Sequence, residues 1–417
     1  MASIGWIDFS SNDRNRVGSV LDLLSPEGMV DELGMGTIRD ALANQMFPGI
    51  STIQTRAKYF FIIPYILYDF QHFKTAQKKN RTPSKYLEQQ ENEVMWDLGD
   101  YYRPLAKDAE TRTSFGVIGI TKVRRGKDFI VRRPSAIYWN GLNTYQFINT
   151  QGMAADAFLR QAANPSMESL LSSTQMGDDG GSDDADVAHE NVFRLKVPYR
   201  LNWKESLRLD LHQEEAEFFR DRILALGKGK LIASLLSNDA LWEIFDKAGN
   251  FMEFADAALS LPLSDSLKSM LVLAHDFSAL MYGAHLAYNC QLQNKVFKSD
   301  YFDAKWQNWC QGLQHEMIDF ANFDPAILWH YSATTRPGTA RFVHAWWAQA
   351  QHSFSDENKR DSLIEQQESM VKAGKARLRW DKTDDVKKSK WIGLQYFDYR
   401  FFQARIILTD IRTGLST

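Results

Sequence analysis

With 417 residues, 44% of them hydrophobic and 24% charged, the chain has material for two or three packed cores and does not have the composition of a disordered segment. Its formal net charge of −3 supplies no global attraction to nucleic acid or anionic lipid, so any such contact has to come from a local patch. Cys290 and Cys310 are the only cysteines, too few for a secreted disulfide framework or a four-thiolate zinc site, which predicts a reducing, cytoplasmic setting.

The opening Met1-Ala2-Ser3-Ile4-Gly5-Trp6 lacks the charged-then-apolar order of a secretory signal. A short apolar stretch, Trp6 to Phe9, leads to a Ser10 or Ser11 cap and a first helix with Val17, Val20, Leu21 and Leu24 on one face. Thr37, with Asp40 three residues on, predicts a second helix start, stopped by Pro48-Gly49. Ser51 with Gln54 predicts a third, kinked near Pro64. The run Tyr59 to Leu67 is the most apolar in the chain, but it falls well short of the roughly 20 residues of a membrane span, so it predicts core and no membrane association. A helix follows over 84–102.

The period then changes. Residues 115–123 and 128–132 flank Arg124-Arg125-Gly126-Lys127, which predicts a β-hairpin, and Pro134-Ser135 opens a helix through Ile137, Leu142 and Tyr145. Helix, basic hairpin and helix in succession are compatible with a winged-helix-like element. The acidic, glycine-rich stretch within 166–190 predicts a linker between an N-terminal domain (1–165) and a C-terminal helical domain (191–417). In the latter, Ala216, Phe219, Ile223 and Leu226 repeat at helical spacing, as do Met270, Leu273, Phe277, Leu280, Ala284 and Ala287. Phe397, Phe401, Ala404, Leu408 and Ile411 form a last helix ended by Gly414. The expected fold is mainly α with one small β-hairpin.

Standard catalytic motifs are missing. Gly227-Lys228-Gly229-Lys230 lacks the P-loop spacing and is followed by Leu231 rather than Ser or Thr, and Gly34-Met35-Gly36 lacks a third glycine. No recognisable nucleophile elbow or zinc motif occurs, so neither an enzymatic role nor a metal or other cofactor is expected. The positive signal is cationic. Lys122, Arg124, Arg125, Lys127, Arg132 and Arg133 stand within a dozen residues against one acid, Asp128, a strip suited to DNA phosphates, with Tyr138 and Trp139 close enough in sequence to stack on an unpaired base. The competing explanation is a solvated hairpin whose charges prevent edge pairing. A second basic stretch, Lys372 to Lys390, is diluted by Asp381, Asp384 and Asp385.

Three further groups are candidates. His275, Ser278, Tyr282, His285 and Asn289 fall on one face of a helix, but the two imidazoles lie roughly 15 Å apart along the axis and cannot share a metal. His315 and Asp319 have the i, i+4 spacing of paired ligands. Asp398, Arg405 and Arg412 recur every seven residues, an ion-paired surface, with Arg400 as an anion-binding candidate.

Several stretches together resemble a bacterial family of about this length classed as a domain of unknown function. They are Trp6-Ile7-Asp8-Phe9-Ser10, the run from Val30 to Asp40, Phe47-Pro48-Gly49, Ser51 to Ala57, Pro134 to Trp139, and the end from Asp398-Tyr399-Arg400 to Gly414-Leu415. The resemblance implies no catalytic residues. It implies an anti-phage defence setting beside helicases and nucleases. The leading expectation is therefore an accessory subunit that binds DNA through the hairpin or docks a helicase or nuclease. An enzyme with its site assembled from residues such as His275, His285, His315 or Arg400, and a protein–protein scaffold anchored by Trp346 and Trp347, stay open beside it.

Overall fold

The computed structural model describes residues 31–72, 81–163, 197–297, 301–315, 323–381, 383 and 386–417. Its helices begin with α1 (Gly36–Met46), α2 (Tyr59–Gln71), α3 (Pro83–Tyr102), α4 (Ala109–Ser114), α5 (Pro134–Thr144), α6 (Ala155–Ala162), α7 (Gln213–Leu226), α8 (Leu231–Ser237) and α9 (Asp239–Lys247). They continue with α10 (Phe251–Ala258), α11 (Asp265–Phe297), α12 (Tyr301–His315), α13 (Leu328–Tyr331), α14 (Pro337–Gln351), α15 (Glu357–Lys372), α16 (Arg377–Trp380) and α17 (Phe401–Leu415). The described chain divides into two compact units. One holds residues 44–248 and 400–417; the other holds the residues up to Ala43 and 249–399.

The first unit is built on α2, which is apolar on every side and buried from Tyr59 to Leu67. A helix of that kind has to be surrounded. Phe60 and Phe61 meet Phe147 and Phe219, and Phe60 also packs edge-on against Tyr138. The approach of α5 depends on Gly141, where a Cβ would come within 2.5 Å of the Phe60 ring. The 166–190 segment lies outside the described residues, and the chain on both sides of it contributes to this one core.

The second unit centres on α11. Apart from the half-buried Met270, its expected apolar face is buried, and so are Ser278, His285, Asn289 and Gln293 on the polar side. Ser278, Asn289 and Gln293 serve as backbone partners for the non-helical stretch 387–397. Ser278 accepts from Phe397 N–H, Asn289 bonds both N–H and C=O of Ile392, and Gln293 bonds Ser389 N–H and the Lys387 carbonyl. An irregular segment can be buried only if its peptide groups find such partners. Trp309 crosses α11 at Gly283, where a Cβ would sit 2.1 Å from the indole. The buried Glu368 carboxylate accepts from Arg377 N–H, Leu378 N–H and the Tyr288 hydroxyl.

The β-hairpin expected over 115–132 is absent, and with it the wing of a winged helix; among the described residues there is no sheet. The residues that go inward are Val117, Ile120, Val123 and Ile130. The first three are spaced by three, which suits successive turns and not the alternation of a strand. Side chains of α3 and of Arg103, the residue that follows it, take the peptide groups a partner strand would have used. Asn92 accepts from Ile130 N–H, Trp96 donates to the Asp128 carbonyl, and Arg103 donates to the carbonyls of Ile120 and Val123.

The helices expected at 84–102, after Pro134-Ser135, around Phe219 and around Phe277 are present, and α17 starts four residues after Phe397. Ser51 and Gln54 form a turn that precedes α2 instead of opening it. The helix expected around Val17 lies outside the described residues.

Candidate functional site

The six cations named from sequence do not form one free strip. Arg125 is held by Asp97 and Asp100, one turn apart on α3, and Arg124 pairs with Asp128 at 2.8 Å. Arg133 lies 3.4 Å from Glu88. Lys122, Lys127 and Arg132 are exposed and have no acidic partner among the described residues. Between the last two, Phe129 is 68% exposed and Val131 fully so. The proposed stacking residues are not available: Tyr138 is buried with its hydroxyl bonded to the backbone of Thr55 and Arg56, and Trp139 donates to the Met153 carbonyl.

Most of the remaining candidates are engaged structurally. His275 lies between Asp256 and Asp276, Tyr282 stacks on Tyr396 at 4.0 Å, and His285 is bonded to the Met281 carbonyl. Asp319 lies outside the described residues. Arg400 donates to Asn44 and the Ile50 carbonyl, Arg405 to the carbonyls of Asp246 and Ala248, and Arg412 to Asp239 and the Leu235 carbonyl. Trp346 is fully buried and donates to the Leu280 carbonyl, so it is no exposed anchor. At Gly34-Met35-Gly36 the helix start is already satisfied by a carboxylate, since Asp31 accepts from Met35 and Gly36 N–H.

The polar cluster that sequence reading missed lies in the first unit. Lys58 is the residue preceding α2, and Tyr65 lies seven positions on, two turns along the same face. Lys58 Nζ donates to both oxygens of Glu215, at 2.7 and 2.6 Å, and Tyr65 reaches Glu215 Oε1 at 2.8 Å. Glu215 occupies the third position of α7 and closes a reciprocal cap with His212: each side chain accepts the other's backbone N–H. Burial pushes the Lys58 ammonium below its usual range, with Glu215 pulling it back. Burial also lowers His212, and Lys58 adds to the effect, so the imidazole stays neutral near pH 7. A half-open cavity of about 270 Å³ adjoins these groups and is closed by the segment from Arg200 to Leu207. The sequence signals were a spacing of seven and a His-x-x-Glu cap, and His is not among the usual cap residues.

The neighbouring Arg56 makes a second buried junction, donating to Asp410 on α17 and to Asp210. Two stretches that carried the family likeness, Ser51 to Ala57 and the end of the chain, thus meet at one ion pair. Across residues 1–411 the chain matches the model of the family of unknown function DUF6361. The chain belongs to this family. No curated protein and no solved structure matches it. Among the described residues of this DUF6361 member, no helix is long and apolar enough to cross a membrane.

Proposed function

We propose that the protein is a non-catalytic accessory subunit that binds single-stranded nucleic acid through the loop 122–132 and serves a helicase or nuclease partner. The observation that carries the reading is the exposed Phe129 set between Lys127 and Arg132, neither of which forms an ion pair among the described residues. Aromatic stacking on a base combined with lysine and arginine contacts to phosphates is how single strands are held without sequence preference. The loop is preorganised for this by the bonds from Asn92 and Trp96 that fix the peptides around Phe129. The footprint is smaller than the six-cation strip, because Arg124, Arg125 and Arg133 are neutralised by acids of the same chain. The helicase or nuclease partner rests on the family resemblance alone.

The test is a titration of single-stranded and duplex DNA at two salt concentrations. Changing Lys122, Lys127 and Arg132 together to Ala should flatten the salt dependence for single strands by about two, at roughly 0.7 per phosphate contact. Phe129→Ala should weaken binding by about tenfold without changing the slope. Wild-type binding that is insensitive to salt, or unchanged in both variants, overturns the proposal.

A further inference from the structure

The cavity beside Lys58 and Glu215 is rich in donors and poor in acceptors. Glu215, its only carboxylate, already accepts from Lys58, Tyr65 and His212 N–H. The donors are less fully used. Two hydrogen bonds account for two of the three Lys58 protons, and the third has no partner among the described residues. Arg200 makes no hydrogen bond there; its nearest acid is Glu214, at 3.9 Å. One nitrogen of the neutral His212 accepts from Glu215 N–H, which leaves the proton on the other. Ser206 and Asn202 complete the rim.

The charges balance in the same direction. Lys58 and Glu215 cancel, and Arg200, paired with Glu214 only at 3.9 Å, keeps its hydrogen-bond donors unused at a site that also includes the N-terminal end of α7. Unfilled cationic donors are best satisfied by an oxyanion. We infer that this cavity is a binding site for a small oxyanion, a phosphate or a carboxylate group of a molecule small enough for 270 Å³, gripped by Arg200 and positioned by the Lys58–Glu215 pair. That volume suits a single small metabolite and not a polymer. The site is independent of the loop proposed to contact nucleic acid.

The experiment uses the full chain with inorganic phosphate as one probe and acetate as the other, each against chloride at matched ionic strength. Binding is read by thermal shift and by ligand NMR line broadening. Half-saturation by one probe at about 1 mM or below is expected, and the probe that saturates identifies the group. Arg200→Gln should weaken that binding about tenfold, the loss of one charge-assisted contact. Because Arg200 makes no hydrogen bond within the described structure, this variant should fold as the wild type does, and its unliganded melting temperature checks that. The triple alanine variant of Lys122, Lys127 and Arg132 should bind the probe as the wild type does, whatever it does to DNA. Saturation by neither probe, or equal binding by Arg200→Gln and wild type, overturns the inference.

Discussion

Arg56 Nε lies 3.0 and 2.9 Å from the two carboxylate oxygens of Asp410, 354 positions away along the chain, and the Ala57 N–H reaches the same group at 2.8 Å. The pair joins the residues just before α2 to α17, and both side chains are largely withdrawn from water. Removing one partner of a buried pair strands the other, so Asp410→Ala should cost about 3 kcal/mol. Asp210 is exposed and holds Arg56 from its other side, so Asp210→Ala should cost under about 1 kcal/mol. Urea unfolding of the two variants checks this. Equal effects would mean that Arg56 is anchored by neither acid in particular.

That junction shows which parts of the structure were legible in sequence. Helical repetition gave α3, α7 and the core of α11, because burial on one face leaves a period of 3.6 in the sequence. A contact across 354 residues leaves no period, so Arg56 and Asp410 were visible only as pieces of a family likeness. The 115–132 segment failed for a different reason. Its β-rich composition reads as strand, but Asn92, Trp96 and Arg103 supply the hydrogen bonds from a helix, and nothing local announces that. The Lys58 cavity was missed because its donors come from three separate stretches around residues 58, 200 and 212, and it was the fold that brought them together.

The Lys58–Glu215 pair should show strong energetic coupling. Either single change, Lys58→Met or Glu215→Met, leaves a buried polar group short of its partner, and each should cost about 3 kcal/mol or more. Changing both residues to Met should cost less than the sum of the two, since no stranded charge remains. A double-mutant cycle by denaturant unfolding measures the coupling. Additive costs would show that the two groups are stabilised by their other neighbours instead.

Glu91 should make stability fall as pH rises. It lies on α3, fully buried against the start of α5, where Ser135 donates its N–H at 2.5 Å and its hydroxyl at 3.1 Å. Burial lifts its carboxyl to about 7, with the Ser135 bonds pulling it back. The folded value exceeds the unfolded one near 4.3, so this contribution is complete below about pH 4 and is lost as pH rises through 7. Glu91→Gln removes the titration. The stability difference between wild type and Glu91→Gln should therefore shift against the wild type between pH 5 and pH 8, as read from denaturation midpoints. A constant difference across that window would place the carboxyl at its ordinary value.

His285 should act in the opposite sense. The carbonyl of Met281 can only accept, so Nδ1 carries the proton at 2.9 Å, and Nε2 is a buried acceptor with no partner among the described residues. Burial holds the imidazole below its usual range, opposed by the Met281 bond and by the charge of Asp31. The unfolded chain therefore takes up the proton first as pH falls past about 6.5. The stability that His285 contributes is present above that value and is lost on acidification. His285→Leu keeps a similar volume and removes both the titration and the unmet acceptor. The variant should lose less stability than the wild type between pH 7.5 and pH 5.5, and near pH 7 it should fold about as well, because the orphaned nitrogen carries its own cost. Parallel pH profiles for the two proteins would show that Nε2 is reached by water in solution.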